Sequence, residues 1–111
     1  KKHCFLVALT KPDERLVGYL TMRAMPTHRI GLIQDIAVNE FHRRQKVGLR
    51  LLNVARRWAI EHDLTQLQVE TQTKNYPAIQ FLQQNGLTFC GFNDQYFLNG
   101  DIAVFFGQSL K

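Results

Sequence analysis

Between Ile30 and Ala59 the chain changes its hydrophobic period once, and that change limits the fold more than any other feature. The stretch "IGLIQDIAV", Ile30 to Val38, is rich in β-branched residues with Gln34 and Asp35 embedded, and it reads as a central strand. Beyond it the apolar positions Val47, Leu51, Val54, Ala55, Trp58 and Ala59 follow the three-and-four spacing of a helix with one buried face, ending near "EHD". The intervening turn, "NEFHRRQK", is strongly basic and leads straight into Gly48.

The same reading extends in both directions. "HCFLVALT" is a short apolar run stopped by the turn cluster "KPDE", and "RLVGYLTMRAM" resumes a strand pattern that ends at Pro26, so the two predict a hairpin. After the helix, "LTQLQVET" alternates as a strand through Leu64, Leu67 and Val69. "YPAIQFLQQNG" carries Pro77 in a first-turn position, where a missing N–H does no harm, and stops at Gly86; it predicts a second helix. Two last strands, around Thr88 to Phe92 and Ile102 to Gln108, give the order βββαβαββ of a mixed α/β sheet.

Composition narrows the functional classes. A chain of 111 residues, 45% hydrophobic and without a linker or repeat, predicts one domain spanning 1–111. The longest apolar run, Cys4 to Leu9, is too short to span a bilayer and no secretory leader is legible, so a cytoplasmic protein without a membrane partner is expected. Cys4 and Cys90 have no metal or redox spacing and are expected to be buried free thiols, while the four histidines are scattered and predict no metal site. The net charge of +5 is local, since Arg43, Arg44, Lys46, Arg50, Arg56 and Arg57 crowd one stretch. That stretch lacks the interleaved aromatics on which bases stack, which argues against a nucleic-acid partner.

A strand running through a Gly-containing turn into a helix presents N–H groups and the positive end of the helix dipole to an anion. Gly48 would allow close approach of a phosphate, and Arg43, Arg44 and Lys46 would add Coulombic attraction. The plainer alternative is a solvated basic loop before an ordinary amphipathic helix.

In its ordered motifs the chain resembles the GCN5-related N-acetyltransferase (GNAT) superfamily. The family's pyrophosphate loop reads Arg or Gln, two residues, Gly, one residue, Gly or Ala; Arg43 and Gly48 match its ends, and Lys46 replaces its first Gly. "QDIAV" is similar to the family's splayed strand, and "NYPAIQFLQQNGLTFCGF" to its Asn-x-x-Ala and Gly-Phe segment, with Leu87 in place of the Phe. "DIAV", "VETQTKN", "CGF" and "DIAVFF" together look most similar to the streptothricin acetyltransferase subgroup. The resemblance implies the acyl-CoA N-acyltransferase fold and acetyl-CoA as cosubstrate. It implies a binding set of Ile36, Ala37, Val38, Arg43, Arg44, Gln45, Lys46, Val47, Gly48, Leu49, Asn75, Ala78 and Phe81. It also implies a first strand and one or two helices before Lys1, so an amino-terminally truncated domain is expected; a homodimer is compatible with it.

Acetyl transfer to an amine of a small molecule or peptide needs a group that takes the amine proton, and Asp35 and Glu70 are the candidates, with the Ile36 N–H for the developing oxyanion. The family's Tyr, general acid for the departing thiolate, falls here on Leu82, leaving Tyr76 and Tyr96 as candidate substitutes. A weakly catalytic CoA-binding or interaction module is the alternative that Leu82 and Lys46 favour.

Overall fold

The computed structural model describes residues 3–40, 42 and 46–111. Three strands come first: β1 (His3–Leu9), β2 (Leu16–Met25) and β3 (Ile30–Val38). Helix α1 (Val47–Glu61), strand β4 (Gln66–Gln72) and helix α2 (Tyr76–Gln84) follow, and β5 (Thr88–Asn93) and β6 (Ala103–Ser109) close the order expected from the sequence. The six strands form one sheet ordered β1-β2-β3-β4-β6-β5. Among the described residues its only parallel pair is β3 with β4. Parallel neighbours need a crossover, and α1 is that crossover.

The core lies between one sheet face and the helices. Leu20, Met22, Ile33, Leu67 and Val69 from the sheet meet Leu51, Leu52, Ala55 and Ala59 of α1 and Leu82 of α2 in one buried cluster. Each large side chain buried there contributes roughly 1.5–3 kcal/mol. The α1 stripe is rotated from the one expected: Leu52 is fully buried, Val54 is exposed and Trp58 is half-buried. Arg56 on the same helix donates to the Asn85 carbonyl at 2.7 Å and to Gln108 Oε1 at 2.9 Å, tying α1 to the end of α2 and to β6.

Both helices stop by the same device. After α2, Gly86 takes φ 88° and the Leu87 N–H reaches back to the Leu82 carbonyl; after α1, Asp63 takes φ 63° and the Leu64 N–H reaches Ala59. A left-handed residue followed by a buried apolar one is the Schellman ending. Leu64, expected in β4, is therefore part of the α1 terminus, because its N–H and side chain both turn inward there.

Besides a register shift near the end of β1, between Ala8 and Leu9, two irregularities reshape strands. Thr21 pairs with Asp35 but Met22 pairs with Ile33, so Gln34 is an extra residue in β3. A second shift, between Phe89 and Gly91, makes Cys90 the extra residue on edge strand β5. Cys90 is exposed there, against the expectation of burial, whereas Cys4 is buried. Thr88, Phe89, Phe92 and Asn93 of the same strand are exposed as well, so the thiol is uncovered because little packs on this edge of the sheet.

Candidate active site

β3 and β4 stay in register from Ile30 opposite Gln66 to Ile33 opposite Val69, and no pair follows. The parting coincides with the extra residue Gln34, because a bulge bends its strand and sharpens the local twist. A cavity of about 450 Å³ opens between the strands. Gln34, Asp35 and Ile36 form one bank and Val69 to Gln72 the other, while Asn75, Ala78, Phe81 and Leu82 close the α2 side and Phe97 the far rim. Its size falls within the roughly 300–1,000 Å³ of small-molecule sites.

The backbone of the β3 bank faces this opening. The Asn39 N–H donates to the Val17 carbonyl of β2 at 2.7 Å, and antiparallel ladders alternate in direction from residue to residue. By that alternation Ala37 and Asp35 direct their backbone groups at β2, whereas Ile36 and Val38 direct theirs away from it, toward the parting. The side chains of Ile36 and Val38 pack on the core.

Asp35 and Glu70 stand on opposite banks. Asp35 Oδ2 accepts a hydrogen bond from the Thr21 hydroxyl at 3.1 Å, and its side chain is exposed. Glu70 is half-buried, and Oε1 accepts from the Tyr96 hydroxyl at 2.7 Å. Burial pushes the Glu70 carboxyl above the ordinary range, and the negative charge of Asp35 adds to this; the Tyr96 hydrogen bond and the Arg23 guanidinium pull the other way. Tyr96 itself is pushed up, chiefly by donating to Glu70. Tyr76, the other phenol considered, is 75% exposed at the start of α2 and lines no part of this cavity. Leu82 is fully buried and forms part of the cavity wall, so an apolar side chain stands where the family's phenol is expected.

The expected anion site borders the same cavity. Lys46 is the residue before α1, with φ 61° and ψ 27° and no side-chain cap. The left-handed conformation is one a Gly takes at no steric cost, and Lys46 occupies the position where the family pattern has Gly. Gly48 has a packing reason beyond room for phosphate: a Cβ there would lie 3.2 Å from Phe81 Cζ and 3.7 Å from Val38 Cγ2. Phe81 thus touches the first turn of α1 and lines the cavity at once. Val47 is buried and Leu49 half-buried, so they offer a ligand backbone more than side chain. Arg43, Arg44 and Gln45 lie outside the described residues.

Asn75, expected at the ligand, is also the N-cap of α2: its Oδ1 accepts from the Ala78 N–H at 3.3 Å. Its Nδ2 is what it can offer a ligand without uncapping the helix. The structure therefore gathers Asp35, Ile36, Glu70, Asn75, Ala78 and Phe81 at one cavity and sets Val38 and Gly48 against Phe81. Sequence reading missed Gln34, Phe97 and Arg23; only the pair of polar residues inside an Ile- and Val-rich strand hinted at the first. Among the described residues no group of His, Cys, Asp and Glu is placed to hold a metal, and no helix is long and apolar enough to cross a membrane.

The splayed parallel pair, the crossover helix and the carboxylate-lined cavity are the architecture of an acyl-transfer family, and comparison agrees: residues 1–87 match the model of the acetyltransferase (GNAT) family, to which the chain belongs. Among its relatives are streptothricin acetyltransferase of Escherichia coli, 31% identical over 81 residues, and streptothricin acetyltransferase A of Bacillus subtilis, 33% identical over 78 residues. These alignments cover 73% and 67% of this chain but 46% and 45% of those proteins, so the chain spans about half their length. In solved structures, a nourseothricin acetyltransferase superposes with a TM-score of 0.92 at 26% identity, covering 98% of this chain and 66% of that one. A Bacillus anthracis protein described as a streptothricin acetyltransferase, solved with acetyl coenzyme A, gives 0.86 at 23% identity, over 98% of this chain and 63% of that one, and shares the fold.

Proposed function

We propose that this chain carries the acetyl-CoA site and the proton-accepting carboxylates of an N-acetyltransferase that moves an acetyl group to a cationic amine by direct attack. The observation that carries the reading is the parting of β3 from β4 beyond Ile33 and Val69, with a carboxylate on each bank. Acetyl-CoA is here a substrate. Its pyrophosphate would lie at the start of α1, beside Lys46, Gly48 and Leu49, and the family resemblance assigns Arg43, Arg44 and Gln45 to the same role. Its pantetheine would run along the backbone of Ile36, Ala37 and Val38, past Asn75, Ala78 and Phe81.

Asp35 and Glu70 attract the protonated amine, and Glu70, directly or through water, takes its proton. The freed lone pair forms the N–C bond, the Ile36 N–H meets the charge developing on the thioester oxygen, and the C–S bond breaks. Leu82 has no proton to give, so the thiolate leaves unassisted; its ordinary pKa near that of a free thiol, about 8.5, allows this.

The relatives are named for streptothricin and nourseothricin, which makes small-molecule amines the first acceptor class to try. Acetyl-CoA-dependent thiol release over a panel of streptothricin-like compounds, aminoglycoside-like compounds, polyamines and peptide amino termini tests the reading. Turnover is expected with at least one cationic amine, and Asp35→Asn or Glu70→Gln should lower it by about 100-fold at neutral pH, with partial recovery at high pH. Binding of acetyl-CoA without turnover on any amine would replace this reading with the second one, a CoA-binding module, which the buried Leu82 favours.

A further inference from the structure

The loop between β5 and β6 makes one polar contact with the cavity's carboxylates, and it is made across 26 residues of sequence. Tyr96 is held edge-on to Phe97 at 5.2 Å and to Phe105 at 5.6 Å between ring centroids, with interplanar angles of 90° and 89°. Phe105 is the cross-strand partner of Glu70, so the phenol rests over the very pair that includes the carboxylate it binds. Phe97, beside it, lines the cavity. Edge-to-face packing on two sides fixes the ring, and a fixed ring fixes the direction of its O–H.

Resting on the function proposed above, we infer that Tyr96 is a positioning residue: its hydroxyl holds Glu70 at the cavity wall as a carboxylate ready to take the amine proton. A donor to the charged form stabilises that form. Three groups face Glu70: Tyr96 from the β5–β6 loop, Asp35 from β3 and Arg23 from β2. Asp35 opposes ionisation of Glu70. Arg23, whose Nε is buried without a hydrogen-bond partner among the described residues, favours it, as does Tyr96. Tyr96 keeps its own proton throughout, because the contact with Glu70 raises its pKa above the ordinary phenol value. The proton therefore passes from the amine to Glu70 as the N–C bond forms, the C–S electron pair leaves with the CoA sulfur, and Tyr96 is neither acid nor base.

Tyr96→Phe keeps the ring contacts and removes the donor. The parent-to-variant ratio of kcat/KM should then be about tenfold near pH 6, the scale of one hydrogen bond to a charged group, and should shrink steadily toward pH 9 as Glu70 ionises unaided. In the Glu70→Gln background the same substitution should leave the ratio flat. A ratio that is the same at every pH would mean that Tyr96 only supports the loop, and would overturn the inference. Carbon-detected NMR titration of the Glu70 carboxyl needs no turnover. A midpoint higher in Tyr96→Phe than in the parent supports the positioning role even if no amine is acetylated, and in that case only the acetyl-transfer reading falls; an unchanged midpoint overturns the role itself.

Discussion

The two helices end alike and begin differently. α2 is closed on itself, with the Asn75 side chain bonding the Ala78 N–H and Pro77 in the first turn removing a donor that would need a partner. α1 begins at a left-handed Lys46 whose side chain makes no cap. A helix start without a cap keeps its N–H groups and its positive dipole end for something else. The difference bears on where a ligand is expected: α2 satisfies part of its own start, and α1 is proposed to meet that need with an anion.

The largest effect should come from closing the α1 start. Gly48→Asp adds a carboxylate where phosphate is proposed and a Cβ against Phe81, so stabilisation by acetyl-CoA in a thermal melt should be lost, a drop in affinity of at least about 100-fold. Retained stabilisation would show that the two helix starts do not differ in the way argued. Gly48→Ala separates the two causes, since it brings the 3.2 Å contact with Phe81 without the charge.

Next in size is Asn75→Ala, which uncaps α2 and should lower unfolding free energy by about 1 kcal/mol in urea titration. Lys46→Gly should move stability the other way by roughly 0.5–1 kcal/mol. It relieves a left-handed residue whose penalty is about 1–2 kcal/mol, partly offset by the greater freedom of Gly in the unfolded chain. Removing that ammonium should also make acetyl-CoA binding less sensitive to salt. A cap at Asn75 with no measurable cost, or a Lys46 whose removal destabilises, would erase the contrast between the helix starts.

The smallest effect concerns Glu70. Its folded pKa is raised, so the folded state holds the proton more tightly than the unfolded chain, and stability falls as pH rises from the ordinary carboxylate range through the folded pKa. Glu70→Gln should therefore stabilise the protein slightly at neutral pH, by less than about 1 kcal/mol because the group is half exposed to solvent. The gain should vanish below about pH 4, where both states are protonated. A gain that persists there would assign it to packing instead.

Much of the architecture was legible because it is local. Hydrophobic period, Pro77 and Gly86 mark elements by rules that act within a few residues, and the same period bounds β3 from Ile30 to Val38 without reference to its partners. Part of the cavity's wall, Ile36, Asn75, Ala78 and Phe81, was legible through family motifs. What escaped depends on separation in sequence. The Tyr96 bond to Glu70 joins a loop to a strand, and the contact of Gly48 with Phe81 joins two helices, so no local window contains either. The left-handed Lys46 escaped because a lysine carries no local signal for that conformation; only the family's Gly at this position pointed to it. Val54 and Cys90 were misjudged because apolar character records preference for burial, whereas helix rotation and a strand's place at the sheet edge decide what is covered.

Gln34 has a consequence for how this site tolerates change. Ile33 and Ile36 both pack on the core, an odd spacing that strict alternation along a strand forbids. One additional residue resets the parity, and everything from Asp35 onward inherits the reset. The parting of β3 from β4 thus owes its place to a count rather than to the chemistry of the extra residue. Substitutions at position 34 that keep the count preserve the bend, whereas deleting that one residue would restore regular alternation, with Ile33 and Ile36 still inward and Asp35 still outward, and would remove the bulge at which β3 parts from β4. Length, in this short stretch, carries information that composition does not.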